Sequence, residues 1–346
     1  MKIKTKYNKH NVSAYQQTQL KIKRQQGFSL LEIFVALAIG LVIFAGVLSV
    51  FVGMKSTVSE TSHYGELQEN GRFAISVLSD DLLRQNFWGD YTGSITLANI
   101  NPVPAAPVGE CVGGGVNNGT FPLATGSFRT LWADTVTNAS ILSGCVTDAK
   151  KKSDVLQIKR VVSTPEALVA GAAAPAGNYY FMSNMDNGTL FAAGTVPDVK
   201  NGRVWEYQHH IYYVRDEAVG SDTVPVLMQG RLASNLSFAP IIDGIEMVRF
   251  EFGIDMDTDP TAAGYGIVDA YVPTGSMTNA LWDNQLSRII SVKIYVLARS
   301  IKKDIKYKNK NTYSLGGFNY TVDDNYRRLL FSSTVTLYNA SIDMWN

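Results

Sequence analysis

The chain has 346 residues, 46% of them hydrophobic, with 31 Lys and Arg against 30 Asp and Glu for a formal net charge of +1. This composition excludes wholesale disorder and supplies enough apolar residues for a real core. Two cysteines and four histidines, with no CxxC and no clustered His, exclude a thiol redox motif or a Cys/His zinc scaffold.

Residues 1–27 hold seven cations (Lys2, Lys4, Lys6, Lys9, Lys21, Lys23 and Arg24) and no acid. The next 25 residues, Phe28 to Val52, contain a single charge, Glu32. A run of this length predicts one slightly tilted membrane-spanning helix over 28–52. By the positive-inside bias the leader stays cytoplasmic and the C-terminal bulk lies outside the cytoplasm. A secretory signal has a shorter apolar core with the cut after it. Here the expected cut, between Gly27 and Phe28, precedes the apolar run and leaves a mature chain of 319 residues still anchored. The competing reading is a plain N-terminal anchor with an accidental Gly-Phe. The mature chain carries 24 Lys and Arg against 30 acids, about −6, which argues against a general nucleic-acid-binding surface.

Glu32 needs a physical reason, because a carboxylate in hydrocarbon costs a few kcal/mol unless something neutralises it. The ammonium that cleavage would create on Phe28 is the natural partner. It sits four residues away on the same helix face, or on a neighbouring subunit. The competing reading is a Glu resting at the membrane interface. Gly27-Phe28-Ser29-Leu30-Leu31-Glu32 followed by an apolar helix resembles the class III signal of type IV pilins and pseudopilins. The resemblance implies a prepilin peptidase that cuts after Gly27 and methylates Phe28, with Glu32 as the fifth mature residue.

No proline occurs before Pro102, so the helix is expected to continue to about Phe87. Leu67, Ala74, Ile75, Leu78 and Leu82 form one apolar stripe that would dock on a globular head. Gly40, Gly46, Gly53, Gly65 and Gly71 weaken such a helix. They either let membrane helices approach closely or mark places where it bends. From Leu67-Gln68-Glu69-Asn70-Gly71-Arg72-Phe73-Ala74 to Leu78-Ser79-Asp80-Asp81-Leu82-Leu83-Arg84 the chain resembles the PilW group of minor pilins. So does Arg327-Arg328-Leu329-Leu330-Phe331-Ser332-Ser333-Thr334-Val335 with Asn339. That group's Ala-Gly-Tyr-x-Gly-Cys is replaced here by Gln85-Asn86-Phe87-Trp88-Gly89-Asp90-Tyr91, and residues 89–285 match none of its motifs.

After Trp88 the Gly- and Pro-rich stretches at 102–107 and 113–119 read as surface loops. Strand-like runs follow at 154–162, 204–214, 244–253, 288–298 and 327–338. The expected fold is therefore α+β and pilin-like. A leader (1–27) and a long helix (28–88) precede a mostly antiparallel sheet head (89–346).

Cys111 and Cys145 lie on the oxidising side and are expected to pair, closing a loop of 35 residues worth roughly 3–4 kcal/mol. His209 and His210 are adjacent in a strand-like run and point to opposite faces, so they cannot share a metal. Asp255, Asp257 and Asp259 imitate a calcium loop, but Pro260 and Gly266 stand where Gly and Glu are required. An acidic turn is the better reading, and no metal or cofactor is expected. Lys302, Lys303, Lys306, Lys308 and Lys310 are read as a solvated loop in preference to a DNA-contacting run. No HExxH, Walker loop or nucleophile elbow is present, so catalysis is not expected.

The resemblance implies a structural minor pilin that primes pilus assembly and sits at the tip, in contact with other minor pilins, the major pilin, the peptidase and the assembly platform. Its expected place is the bacterial inner membrane with the head in the periplasm, then the surface pilus, serving motility, adhesion or DNA uptake. The alternatives are a J-type pseudopilin of type II secretion, or an adhesin or uptake subunit that binds through loops 102–120 and 255–285.

Overall fold

The computed structural model describes residues 27–220, 222–257, 259–283 and 287–339, apart from the side chains of Ser56 and Ser59. The cationic leader up to residue 26 lies outside the described residues. Two compact units are present, Met1–Ser59 and Glu60–Asn346.

The first unit is the opening of a helix, Leu30–Leu83, that begins when the Ile33 N–H reaches the Ser29 carbonyl at 3.1 Å. This helix is long and apolar enough to cross a membrane, and none of its apolar window is buried within the chain. The side chains of Phe34, Leu41, Phe44 and Phe51 all stand exposed. Such a surface is stable only against lipid or other helices, while the helical backbone satisfies its own polar groups.

In the second unit the helix turns amphipathic. Leu67, Ala74, Leu78 and Leu82 are at most 2% exposed, and Ile75 packs at the edge of the same core. At Gly71 the reason for glycine is close approach. A Cβ there would lie 2.1 Å from the Phe331 ring, so the residue seats an aromatic knob instead of marking a bend. The helix ends at Leu83, earlier than expected, because Asn86 adopts φ +58°, a left-handed stop that Asn tolerates. The Asn339 side chain then donates to the orphan Gln85 carbonyl at 3.1 Å, meeting the need of a helix C-terminus.

Among the described residues the strands form two antiparallel sheets and two short ribbons, the α+β arrangement expected from the sequence. In the larger sheet Leu131–Thr135 pairs with Asp154–Glu166, which pairs with the long strand Arg203–Val219. The other edge of that long strand holds Tyr179–Ser183 at one end and Asp222–Leu232 at the other. Gly188–Phe191 and Leu236–Asp243 extend these two branches. The smaller sheet runs Ala270–Pro273, Ile245–Asp255, Arg288–Arg299, Arg328–Thr336. Along Arg288–Arg299, Val292, Ile294 and Val296 are fully buried on one face; on the other Lys293 and Tyr295 are half-buried, while Leu297 is fully buried in a small cluster with Met247 and Leu315.

One core joins the helix stripe to both sheets through Leu156, Ile158, Ile211 and Val226 on one side and Val248, Phe250, Ile294 and Val335 on the other. A second, aromatic cluster gathers Trp88, Phe121, Phe128, Phe181, Trp205 and Tyr207. Gly89, at φ +66°, presses on the Trp205 ring, where a Cβ would come within 2.3 Å.

The stretch expected as a plain surface loop is in part interior, because Asn117, Asn118, Thr120 and Phe121 are buried. Asn117 closes that loop on itself by donating to the Ala124 and Gly126 carbonyls and accepting from the Leu123 N–H.

Candidate processing and assembly site

Gly27 and Phe28 lie just before the helix, separated from its first residue, Leu30, by Ser29, and Glu32 falls in its first turn. Phe28 is 79% exposed, so the peptide bond expected to be cut stands clear of packed structure. Glu32 shares a shallow, largely apolar surface with Leu31, Val35, Ala36 and Ile39. Among the described residues it has no hydrogen bond or ion pair. An acid on an apolar helix with no side-chain partner among the described residues is costly to keep in hydrocarbon until one is supplied.

A second carboxylate of the same helix is treated in the opposite way. Asp81 is 4% exposed and accepts from four donors. These are Arg160 Nε at 2.8 Å and Nη2 at 2.7 Å, His210 Nδ1 at 2.6 Å and the Tyr212 hydroxyl at 2.9 Å. Burial alone would raise its carboxyl, but the hydrogen bond and charge of His210 and the charge of Arg160 outweigh that and hold it well below the usual carboxylate range. Burial, joined by the charge of Asp81, pushes the Tyr212 phenol up, so it stays a neutral donor. The clamp fixes the end of the helix to two neighbouring strands. Its sequence signal was faint: one of two adjacent aspartates at the edge of an apolar stripe, with partners 79 to 131 positions away.

Closer to residue 60, Arg327 reaches Glu60 at 2.9 Å, pairs with Asp304 at 2.9 Å and lies over the Tyr64 and Tyr307 rings. Asn70 adds a bond to the Asp243 carbonyl at 3.0 Å. Buried Asp154 joins the two sheets, accepting from Thr135 Oγ1 at 2.8 Å and the Phe250 N–H at 2.9 Å. Desolvation pushes its carboxyl up to about 6, against the pull of Arg249.

Cys111 and Cys145 are joined as a disulfide with Cα atoms 5.1 Å apart. His209 and His210 do diverge: His209 Nε2 faces Gln157 at 3.3 Å and His210 faces Asp81. Of the acidic turn, Asp255 and Asp257 come together, but the third neighbour is Asp269, not Asp259. Asp259 instead caps Thr261. Asp255 is occupied by Arg288 and by the N–H groups of Asp257 and Gly266. The lysine run is a solvated loop in which Lys303 pairs with Asp222 and Lys308 with Asp323, both 2.8 Å.

Two family models match. Residues 211–339 are similar to the family described as Type IV Pilus-assembly protein W, and residues 22–48 to the prokaryotic N-terminal methylation motif. No curated protein and no solved structure gives a significant match. The first match covers the later strands of the head, and the second spans Gly27, Phe28 and Glu32.

Proposed function

Since the chain is a type IV pilin-like protein of the PilW group, we propose that it takes part in priming type IV pilus assembly and sits at the pilus tip. The observation that carries this reading is the unpartnered Glu32 on an otherwise apolar, uncovered helix. Prepilin peptidase cuts after Gly27 and methylates Phe28. The helix over 28–52 then holds the protein in the bacterial inner membrane with the head, 89–346, in the periplasm. Glu32 meets a Phe28 ammonium, its own or a neighbour's, and sets the register in which apolar helices pack. Partners are the other minor pilins, the major pilin and the assembly platform. A head larger than a typical major pilin's about 100–150 residues disfavours repeated stacking and suits a capping position. The pilus so primed serves motility, adhesion or DNA uptake.

The test is deletion of the gene in retraction-competent and retraction-null cells, with sheared surface pili and type II secretion scored together. Pili lost, or recovered only without retraction, with secretion intact, is the expected result. Normal pili with blocked secretion would move the protein to the J-type pseudopilins. A Gly27→Leu chain is expected to keep its leader, and normal cleavage in that variant would refute the assigned cut.

A further inference from the structure

Lys159 is fully buried on the strand Asp154–Glu166. Its Nζ donates to Asn118 Oδ1 at 2.6 Å and to the Arg129 carbonyl at 2.9 Å, 4.8 Å from the centre of the Phe128 ring. Among the described residues no carboxylate forms an ion pair with it. An ammonium has three donors, whereas a neutral amine has two donors and a lone pair, and two acceptors are what this site offers. Burial pushes the amine well below its ordinary range, opposed by the charge of Glu110 and aided by that of Arg129. Burial thus disfavours the charged form of an amine that is held directly against a side-chain amide.

Asn118 is 1% exposed, and its Nδ2 donates to the Gly114 carbonyl at 3.0 Å, which fixes its oxygen toward Lys159. With a C=O bond of about 1.2 Å, the amide carbon lies no more than about 3.8 Å from Nζ, close to the separation of a near-attack arrangement. Buried Phe121, Phe128 and Tyr207 pack together in the adjoining cluster, and such burial keeps out competing water. Glu110 accepts from the Thr120 N–H, two residues beyond Asn118.

We propose that Lys159 and Asn118 become joined by an intramolecular amide bond. Nζ attacks Asn118 Cγ, the Nζ–Cγ bond forms, the Cγ–Nδ2 bond breaks, and Nδ2 leaves as ammonia after gaining a proton from Nζ. Nothing is oxidised or reduced, and no co-reactant is consumed. The proton passes from the attacking to the departing nitrogen in the tetrahedral adduct, and the Glu110 carboxylate, which acts on Lys159 through its charge, favours the positive charge that the attacking nitrogen gains as the bond forms. The bond ties the 111–120 loop, already held by Cys111–Cys145, to the middle of the larger sheet. The loop would then have two covalent ties, one of them immune to reduction.

The test is peptide mapping by tandem mass spectrometry of the full chain extracted from membranes in detergent, reduced and alkylated. The expected result is one branched species containing the Lys159 and Asn118 peptides, short of their summed mass by one ammonia. Recovery of the two peptides separately would overturn the proposal. So would ammonia loss confined to the Asn118 peptide, which would mark cyclisation at Asn118-Gly119 instead. In Glu110→Gln the branched species should fall at least tenfold in freshly made protein, and an undiminished yield would overturn the role given to Glu110.

Discussion

Replacing Asp81 by Asn keeps the side chain's size and removes its charge, which isolates what the carboxylate contributes. The variant leaves the Arg160 guanidinium, only 6% exposed, with no charged partner among the described residues, its other bond being to the Val161 carbonyl at 3.2 Å. It also turns an NH2 group toward donors that need an acceptor. Breaking a buried pair in this way costs about 3–5 kcal/mol, because an uncompensated charge stays buried. For a domain of this size that is a fall in Tm of roughly 6–20 °C. The assay is thermal unfolding of the detergent-solubilised full chain, followed by Trp fluorescence. Asp80 provides the control, since its pair with Arg84 is half exposed and Asp80→Asn should change stability by less than about 0.5 kcal/mol. The pH dependence has a definite sign. The Asp81 carboxyl is held below its unfolded value of 3.8, so its stabilisation is present above that value and fades as pH falls beneath it. Wild type and Asp81→Asn should therefore converge in acid. A loss below about 1 kcal/mol at neutral pH, or a difference that persists unchanged in acid, would refute the clamp.

Asp154 should show the opposite slope. Its folded value of about 6 lies above the unfolded 3.8, so its contribution is full below about pH 4 and is lost as pH rises to 6, by up to about 3 kcal/mol. Denaturant melts of wild type against Asp154→Asn across that window measure this, and a constant difference would contradict it. Gly71→Ala gains about 1 kcal/mol of helix propensity in the abstract, yet the Phe331 contact at 2.1 Å predicts a net loss of roughly 1–3 kcal/mol. Pairing it with Phe331→Leu should recover most of that loss, and a stabilised Gly71→Ala would show that the ring moves freely. Cys111→Ser should lower stability by roughly 3–4 kcal/mol, matched by adding reductant to the wild type. A Cys111→Ser protein with unchanged melting would remove the disulfide from the account.

What the sequence disclosed follows from how local each signal was. The apolar run with its one acid, and the stripe from Leu67 to Leu82, were readable because helical periodicity is set within a few residues. The strand at 288–298 was equally plain, since Val292, Ile294 and Val296 alternate cleanly. The strands Asp222–Leu232 and Leu236–Asp243 were not read, because Pro225, Gly230 and Pro240 interrupt them and only pairing of the first with the long central strand, and of the second with the first, compensates. The Asp81 clamp and the Lys159–Asn118 contact were invisible for a different reason. Each brings together residues 41 to 131 positions apart, and polar residues in alternating runs look like solvent-facing positions until a loop or helix covers them. Gly71 was misread for the same reason: the ring that needs it comes from residue 331.

Two of the acids on this helix, Glu32 and Asp81, are treated in opposite ways. Asp81 accepts from four donor atoms of Arg160, His210 and Tyr212, whereas Glu32 has no side-chain partner among the described residues, although a carboxylate in hydrocarbon is costly by several kcal/mol. If the missing partner is the Phe28 ammonium of a neighbouring subunit, Glu32→Val removes an intermolecular pair and leaves the fold untouched. The variant should melt within about 0.5 kcal/mol of wild type and still be cut after Gly27, yet co-purify with other minor pilins at least tenfold less and yield few surface pili. Asp81→Asn should do the reverse, losing stability first and assembly only as a consequence. Lowering the temperature offers a clean discrimination, because it refolds a destabilised head but cannot restore a missing charge. A Glu32→Val chain that regains its partners in the cold, or that never lost them, would mean the acid is only an interfacial residue and that the helices find their register by packing alone.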